Sequence, residues 1–225
     1  MITASGKSAA TYMQDFTKSM CKSQASSSAV PVTDTRDNNA YNVRYINNNC
    51  WMVQNLRYVG DTGSTSSSMI MKSATSNIST DQNLTIGDLT SGNDYNEARI
   101  HNSGNTTKGV WYNYAAASAG YVTNDQHSAV ESTESVCPKN WRLPTNSEMS
   151  GIRLYQSAFF NGGTAVTGGY YYGGSVSGTG TGIWWSSTPY SGYSDYRYYL
   201  IYNRSSLLTG SLTRLRGFYV RCVHN

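Results

Sequence analysis

Charge is scarce in this chain: Lys, Arg, Asp and Glu make up 13% of 225 residues, and the net charge is only +4. The cations are scattered, and Arg214, Arg216 and Arg221 are the nearest thing to a cluster. No run of Lys and Arg interleaved with aromatics is present, which excludes nucleic acid as the expected partner. Long apolar runs are missing too; none approaches the roughly 20 residues that a helix needs to cross a bilayer. The N-terminus lacks a basic stretch followed by an apolar one. The chain is therefore read either as cytosolic or as a mature, trimmed form whose signal or anchor is not included. Histidine is rare and no cysteines stand in CxxC spacing, so a zinc site is not expected. The glycine-rich GTGTG at 178–182 lacks the GxxxxGK[ST] pattern of a phosphate loop. Ser186, Ser187 and Ser191 have no GxSxG elbow. His101 and His127 stand in polar segments where solvation accounts for them. No catalytic constellation emerges, and the chain is read as non-enzymatic.

What is present is Gly, Ser, Thr, Asn and above all Tyr, with aromatics at 12% including five tryptophans. Disordered segments are poor in aromatics and rich in charge, so the expectation is a folded, loop-rich, β-leaning protein with a substantial core. Trp51, Trp111, Trp141, Trp184 and Trp185 are the expected core anchors. The four cysteines allow three disulfide connectivities, of which Cys21–Cys50 with Cys137–Cys222 is preferred. The second pair would close a loop of 85 residues, worth on the order of 4–5 kcal/mol in the chain-entropy model. Disulfides imply an oxidising compartment, hence an extracellular or cell-surface location. No cofactor is expected. A structural calcium at Asp34, Asp37 and Asn38 is the one metal site considered, and an Asx-rich turn accounts for those residues equally well.

Along the chain, Tyr12, Met13, Phe16 and Met20 fit a short amphipathic helix over 9–20, followed by a Ser-rich linker. Tyr41, Val43 and Tyr45 alternate on one strand, Asn47 to Asn49 turn, and Trp51 and Val53 resume. Residues 60–108 read as long loops with short elements and a helix near 64–72. VWYNYAAASAG (110–120) reads as a strand running into an Ala-rich helix, and 122–135 as loop. In CPKNWRLPTNSEM, Thr145 and Glu148 form a capping box. Met149, Ile152, Tyr155 and Phe159 then line one helical face. The rest is glycine-rich crossing, then strands, and the first and last strands are expected to pair. The order gives an α+β fold with mixed small antiparallel sheets and two main helices. Residues 1–32 form an N-terminal helix and linker packed on a domain spanning 33–225.

YSGYSDYRYYLIYN (190–203) holds six tyrosines in fourteen residues. Tyr with Ser, Gly and Asn is the composition of a contact surface, since Tyr offers large, rigid, amphipathic area at low entropy cost. An ordinary strand would also use Tyr. By alternation, Tyr198, Leu200 and Tyr202 face the core, and Arg197, Tyr199, Ile201 and Asn203 face outward. Leu207, Leu208, Leu212 and Leu215 continue this surface in a stretch of turn residues where core leucines are not expected. The candidate ligand-binding residues are Tyr190, Tyr193, Asp195, Tyr196, Arg197, Tyr199, Ile201, Asn203, Ser205, Leu208, Leu212, Arg214 and Leu215.

Five stretches carry a resemblance: DTRDNNAYNVRYINNNCWMVQNLRY, VWYNYAAA, CPKNWRLPTNSEM, IWWSSTPY and GFYVRCVHN. In this order they resemble the Fibrobacter succinogenes major paralogous domain, a bacterial surface and secreted domain, from about residue 33 to the end. The resemblance implies a C-type lectin-like fold and the pair Cys137–Cys222. The same fold serves the variable proteins of diversity-generating retroelements, whose exchanged residues lie on the binding face just before the last strand. By that resemblance, 190–216 is a diversified face for a protein or glycan ligand on another cell or phage, presented by a monomer. None of the four prolines stands in a Glu-Pro-Asn or Gln-Pro-Asp tripeptide, and no Trp precedes Asn-Asp, so calcium-dependent sugar binding is not implied. The alternatives are an enzyme of the related formylglycine-generating type, which would need free thiols at Cys137 and Cys222, and a structural pilus or envelope subunit.

Overall fold

A computed structural model describes residues 12–60, 69–71, 76–77, 82–84, 86–88, 95, 97–101, 108–122, 129–160 and 167–225. A 3₁₀ turn (Met13–Asp15) leads into α1 (Lys18–Gln24), β1 (Val30–Thr33), β2 (Ala40–Ile46) and β3 (Asn49–Met52). Short strands follow: β4 (Met69–Met71), β5 (Ser76–Asn77), β6 (Gln82–Leu84), β7 (Ile86–Asp88), β8 (Ala98–His101) and β9 (Trp111–Tyr112). Next come α2 (Tyr114–Ala117), β10 (Ser135–Pro138), β11 (Trp141–Arg142), α3 (Asn146–Ile152), a 3₁₀ turn (Arg153–Tyr155) and α4 (Gln156–Phe159). The chain closes with β12 (Tyr170–Tyr172), β13 (Ser175–Ser177), β14 (Gly182–Pro189), β15 (Tyr196–Tyr202), β16 (Leu207–Thr213) and β17 (Val223–His224). The class is α+β, sheet-rich, with short helices and several small sheets that are antiparallel except for the β7–β8 pair.

The largest sheet runs β1-β2-β3-β17-β11. Its β2–β3 hairpin turns on Asn47 and Asn48, both at positive φ (48° and 62°). Two-residue turns of that hand match strand twist, and Asn tolerates the left-handed region. The closing strand β17 inserts between β3 and β11 instead of pairing with β1, which pairs with β2. The expected pairing of first and last strands is therefore replaced by a central position for the last. Disulfides Cys21–Cys50 and Cys137–Cys222 fasten α1 to β3 and β10 to the approach to β17. All five tryptophans are buried.

Several local expectations shift. The N-terminal helix begins at Lys18, capped by Thr17, whose hydroxyl accepts from Met20 N. Met13 and Phe16 are buried ahead of it, on a 3₁₀ turn and an extended residue. The boundary expected at 32/33 falls inside β1, and Met13, Phe16, Cys21, Ala25 and Val32 belong to the main core. Of the helix expected near 64–72, residues 64–68 and 72 lie outside the described residues and Met69–Met71 is a strand. The capping box forms as expected: Thr145 Oγ1 accepts from Glu148 N at 3.1 Å and Glu148 Oε2 from Thr145 N at 2.8 Å. The helix it starts stops at Ile152, and the 3₁₀ turn that follows rotates Tyr155 out to 42% exposure, while Phe159 returns to the core. Asp34, the first residue of the calcium candidate, is fully buried and salt-bridged to Arg36, with Nη2 to Oδ2 at 2.8 Å. Asp37 Oδ1 accepts from Asn39 N, as an Asx turn does.

Candidate functional site

The segment singled out by composition forms the sheet β14-β15-β16. Strand β14 is buried from Gly182 to Ser187, and its two tryptophans point to opposite faces. Trp184 pairs with Leu200 and joins the core cluster of Leu207 and Tyr219, while its Nε1 donates to Asn55 Oδ1 at 2.7 Å. Trp185 pairs with Tyr199, packs on Phe218 and Tyr114, and donates from Nε1 to Tyr112 O at 2.7 Å. The sheet thus separates two apolar clusters. On the Leu200 face, Tyr202 meets Phe160 edge-on at 5.0 Å. On the other, Tyr199 meets Phe218 edge-on at 5.5 Å, and Ile201 and Leu212 pack on the main core.

This corrects the outward face read from alternation. Arg197 is fully buried and Arg214 is 3% exposed. The Arg197 guanidinium lies 4.8 Å over the Tyr114 ring and donates to Val130 O (2.8 Å) and Ser187 O (3.3 Å). Burial lowers its pKa, the Tyr114 phenol opposing. Arg214 donates from Nη1 to Val122 O at 3.3 Å and from its backbone N to Asp195 O at 2.8 Å. These arginines are pins, held by α2 and the segments beside it, which close over that end of the sheet. Tyr199, Ile201, Leu212 and Leu215 are half-buried and Leu207 is buried; Leu207, Leu208 and Leu212 stand on strand β16, and only Leu215 lies in the turn after it.

The thirteen candidate residues do not form one site. The β14–β15 turn and the β15–β16 turn lie at opposite ends of β15, whose seven residues span about 20 Å. At the first end, the rings of Tyr190, Tyr193, Tyr196 and Tyr198 associate with one another at 5.1–6.3 Å. Tyr193 is 63% exposed. Beside them a cleft of about 350 Å³ is lined by Ala129, Pro189, Tyr190, Ser191 and Ser194. Asp195 Oδ2 accepts from the Tyr95 hydroxyl at 3.0 Å, which lies equally close to Thr213 Oγ1. At the far end, Asn203 Oδ1 accepts from Ser206 N (3.1 Å) and the Ser205 hydroxyl (3.4 Å). Leu208 there flanks a groove of about 480 Å³ shared with Arg153, Leu154 and Gln156.

Three residues absent from the sequence-based set belong to this region. An antiparallel bridge joins Tyr171 to Gly217, each amide donating to the other's carbonyl at 2.9 and 2.8 Å. It places Tyr172 beside Arg216 and Tyr170 beside Phe218. The Arg216 guanidinium lies 4.3 Å from the Tyr172 ring centre and 5.0 Å from that of Tyr170. Each such stack contributes about 0.5–1 kcal/mol at exposed sites. Burial raises the pKa of Tyr199, and the charge of nearby Arg216 opposes that rise. The one signal in the sequence was GGYYYGG (168–174), three tyrosines between glycine pairs. Gly173 and Gly174 take positive φ (60° and 81°) in the tight turn of that hairpin.

No family model, curated protein or solved structure matches the chain.

Proposed function

We propose that this is a non-enzymatic ligand-binding module with a C-type lectin-like architecture, secreted or displayed on a cell surface, that presents residues 190–216 to a protein or glycan ligand. The observation that carries this reading is the tyrosine cluster at the β14–β15 turn. Its four rings pack on each other and not into the core, and Tyr193 is 63% exposed. Rigid amphipathic rings left on a surface beside a cleft are what interface anchors look like. Two disulfides fit an oxidising compartment. Cys137 and Cys222 are joined to each other, which supports the non-enzymatic reading over one that needs both thiols free.

Retroelement diversification belongs to the same proposal, with a restriction. Tyr193, Ser205 and Leu208 are exposed and exchangeable at little cost to the fold, whereas Asn203, also exposed, braces the β15–β16 turn through Ser206 N. Arg197 and Arg214 are pins, and exchange there would be paid in stability. A near-copy of the codons for 184–222, differing mainly at adenines and beside a reverse transcriptase gene, is the expected genomic companion.

The test is a screen of the chain on glycan and protein arrays against the triple variant Tyr190→Ser, Tyr193→Ser, Tyr196→Ser. The expected result is a ligand that the parent retains and the variant loses by about tenfold or more, measured at a temperature where circular dichroism shows both chains folded, since Tyr190 and Tyr196 are half-buried. Identical retention by both would refute the reading.

A further inference from the structure

Arg216 differs from the other arginines of the segment. Arg197 and Arg214 are buried and spend donors on backbone carbonyls. Arg216 is half-buried, and among the described residues its guanidinium has no hydrogen bond and no ion pair. Its Nε is sealed from solvent with no acceptor, as are those of Arg197 and Arg214, so what sets Arg216 apart is that its Nη groups make no hydrogen bond either. Two tyrosine rings hold the plane of the group, at 4.3 and 5.0 Å. Those rings are fixed in turn by the Tyr171–Gly217 bridge, and Tyr170 packs edge-on against Phe218 at 6.1 Å. The cation is therefore oriented before anything binds, so that little side-chain freedom remains to be lost.

We propose that Arg216 is a carboxylate receptor on the binding face, taking an acidic side chain of a protein ligand. With Nε sealed, the two Nη groups of the stacked guanidinium offer the parallel N–H donors that match a planar carboxylate in bidentate geometry. The single positive charge of the group matches a singly charged carboxylate better than a doubly charged phosphate ester. The rings of Tyr170, Tyr172 and Tyr199 around it suit the methylene stem of an acidic side chain. This rests on the ligand-binding reading above, but small probes address Arg216 without the natural ligand, so the two can fail separately.

The experiment is a titration of the full ¹⁵N-labelled chain, followed at the Arg216 Nε–Hε signal. The probes are N-acetylglutamate amide, N-acetylglutamine amide, glucuronate and methyl phosphate. The glutamate probe is expected to bind about tenfold tighter than the glutamine probe, since only it can form the charge-assisted pair. Without the Nε signal, the variants are followed at the shifts of Tyr170 and Tyr172. Arg216→Gln should abolish the preference, and Arg216→Lys, which keeps the charge without the fork, should lose most of it. Equal binding of the glutamate and glutamine probes overturns the proposal. So does tighter binding of methyl phosphate, or of glucuronate, which would assign the site to phosphate or to acidic sugar. So does a preference that survives unchanged in Arg216→Gln. If tyrosine-dependent ligand retention persists while these probes fail, only the Arg216 assignment falls.

Discussion

Replacing Tyr199, Ile201 and Asn203 together with alanine separates the two ways of seeing β15. Were these residues an outward face, the melting temperature would hardly move. The structure leads to a different expectation. Tyr199 is half-buried and packs edge-on against Phe218. A fully buried aromatic truncated to alanine costs about 3–5 kcal/mol, so half-burial leaves about 2. Ile201 is half-buried on the same core, and Ile→Ala at full burial costs about 2–5 kcal/mol, so about 1.5 is expected. Asn203 Oδ1 accepts from Ser206 N and braces the β15–β16 turn, a bond worth about 1 kcal/mol. Tyr199 and Ile201 share one cluster, so the terms overlap, and about 3–5 kcal/mol is the expected sum. For a chain of this size each kcal/mol moves the midpoint by about 2–4 °C, so a fall near 10–15 °C is expected. Thermal melts by circular dichroism under non-reducing conditions measure it, with the single variants alongside. Tyr199→Phe should lie within about 0.5 kcal/mol of the parent, because the ring and not the hydroxyl does the packing. A triple variant that melts within about 3 °C of the parent would refute the packing argument.

Four more variants probe other parts of the fold. Replacing both cysteines of Cys137–Cys222 with serine should cost about 4–5 kcal/mol and those of Cys21–Cys50 about 3–4, following loops of 85 and 29 residues; urea midpoints in the reverse order would contradict the loop-entropy account. Burial alone would raise the Glu148 pKa, but bonds from Arg142 and Thr145 outweigh it and hold the group below its ordinary 4.5. A depressed carboxylate stabilises the fold above its unfolded value, and that contribution disappears as pH falls from about 4.5 through the folded value. Glu148→Gln should therefore flatten stability against pH in that window, and a parent-like slope would count against it. Arg221 is buried among Phe159, Phe160 and Trp184 and donates to Asn55 Oδ1 (2.9 Å) and Phe159 O (2.6 Å). Arg221→Ala leaves a cavity and an unanswered carbonyl, so chemical denaturation should show a loss of about 3 kcal/mol or more, and a loss under about 1 would mean that the cage relaxes.

Features with short-range causes were legible in the sequence. The Thr145–Glu148 capping box needs four consecutive residues, and the Asn47–Asn48 turn needs two. Cys137–Cys222 was legible because few cysteines leave few pairings. Features that depend on distant neighbours were not. Met13 and Phe16 at a spacing of three fit a helical face, yet here they are buried from a 3₁₀ turn and an extended residue. Tyr155 keeps helical spacing with Ile152 and Phe159, and one 3₁₀ turn rotates it outward. Leu207 looked like part of an exposed turn-rich stretch, and only its register opposite Tyr202 makes it a core residue.

The candidate site failed in one direction for a single reason. Alternation reports that a strand has two faces; it does not report that one of them is wet. Here the β14–β16 sheet lies between two apolar clusters, so from Tyr199 to Tyr202 residues on both faces of β15 find a core to pack on. Solvent is left to the two turns and to the side chains that no layer covers. That is why Tyr193, Asn203, Ser205 and Leu208 remain accessible while Arg197 and Arg214, no less polar, do not. It is also why Tyr170, Tyr172 and Arg216 went unrecognised: their nearness is set by a bridge between Tyr171 and Gly217, 46 positions apart (217 − 171), which no local pattern encodes. Composition identified a segment suited to binding, but the layers around the sheet decide which of its residues a ligand can touch.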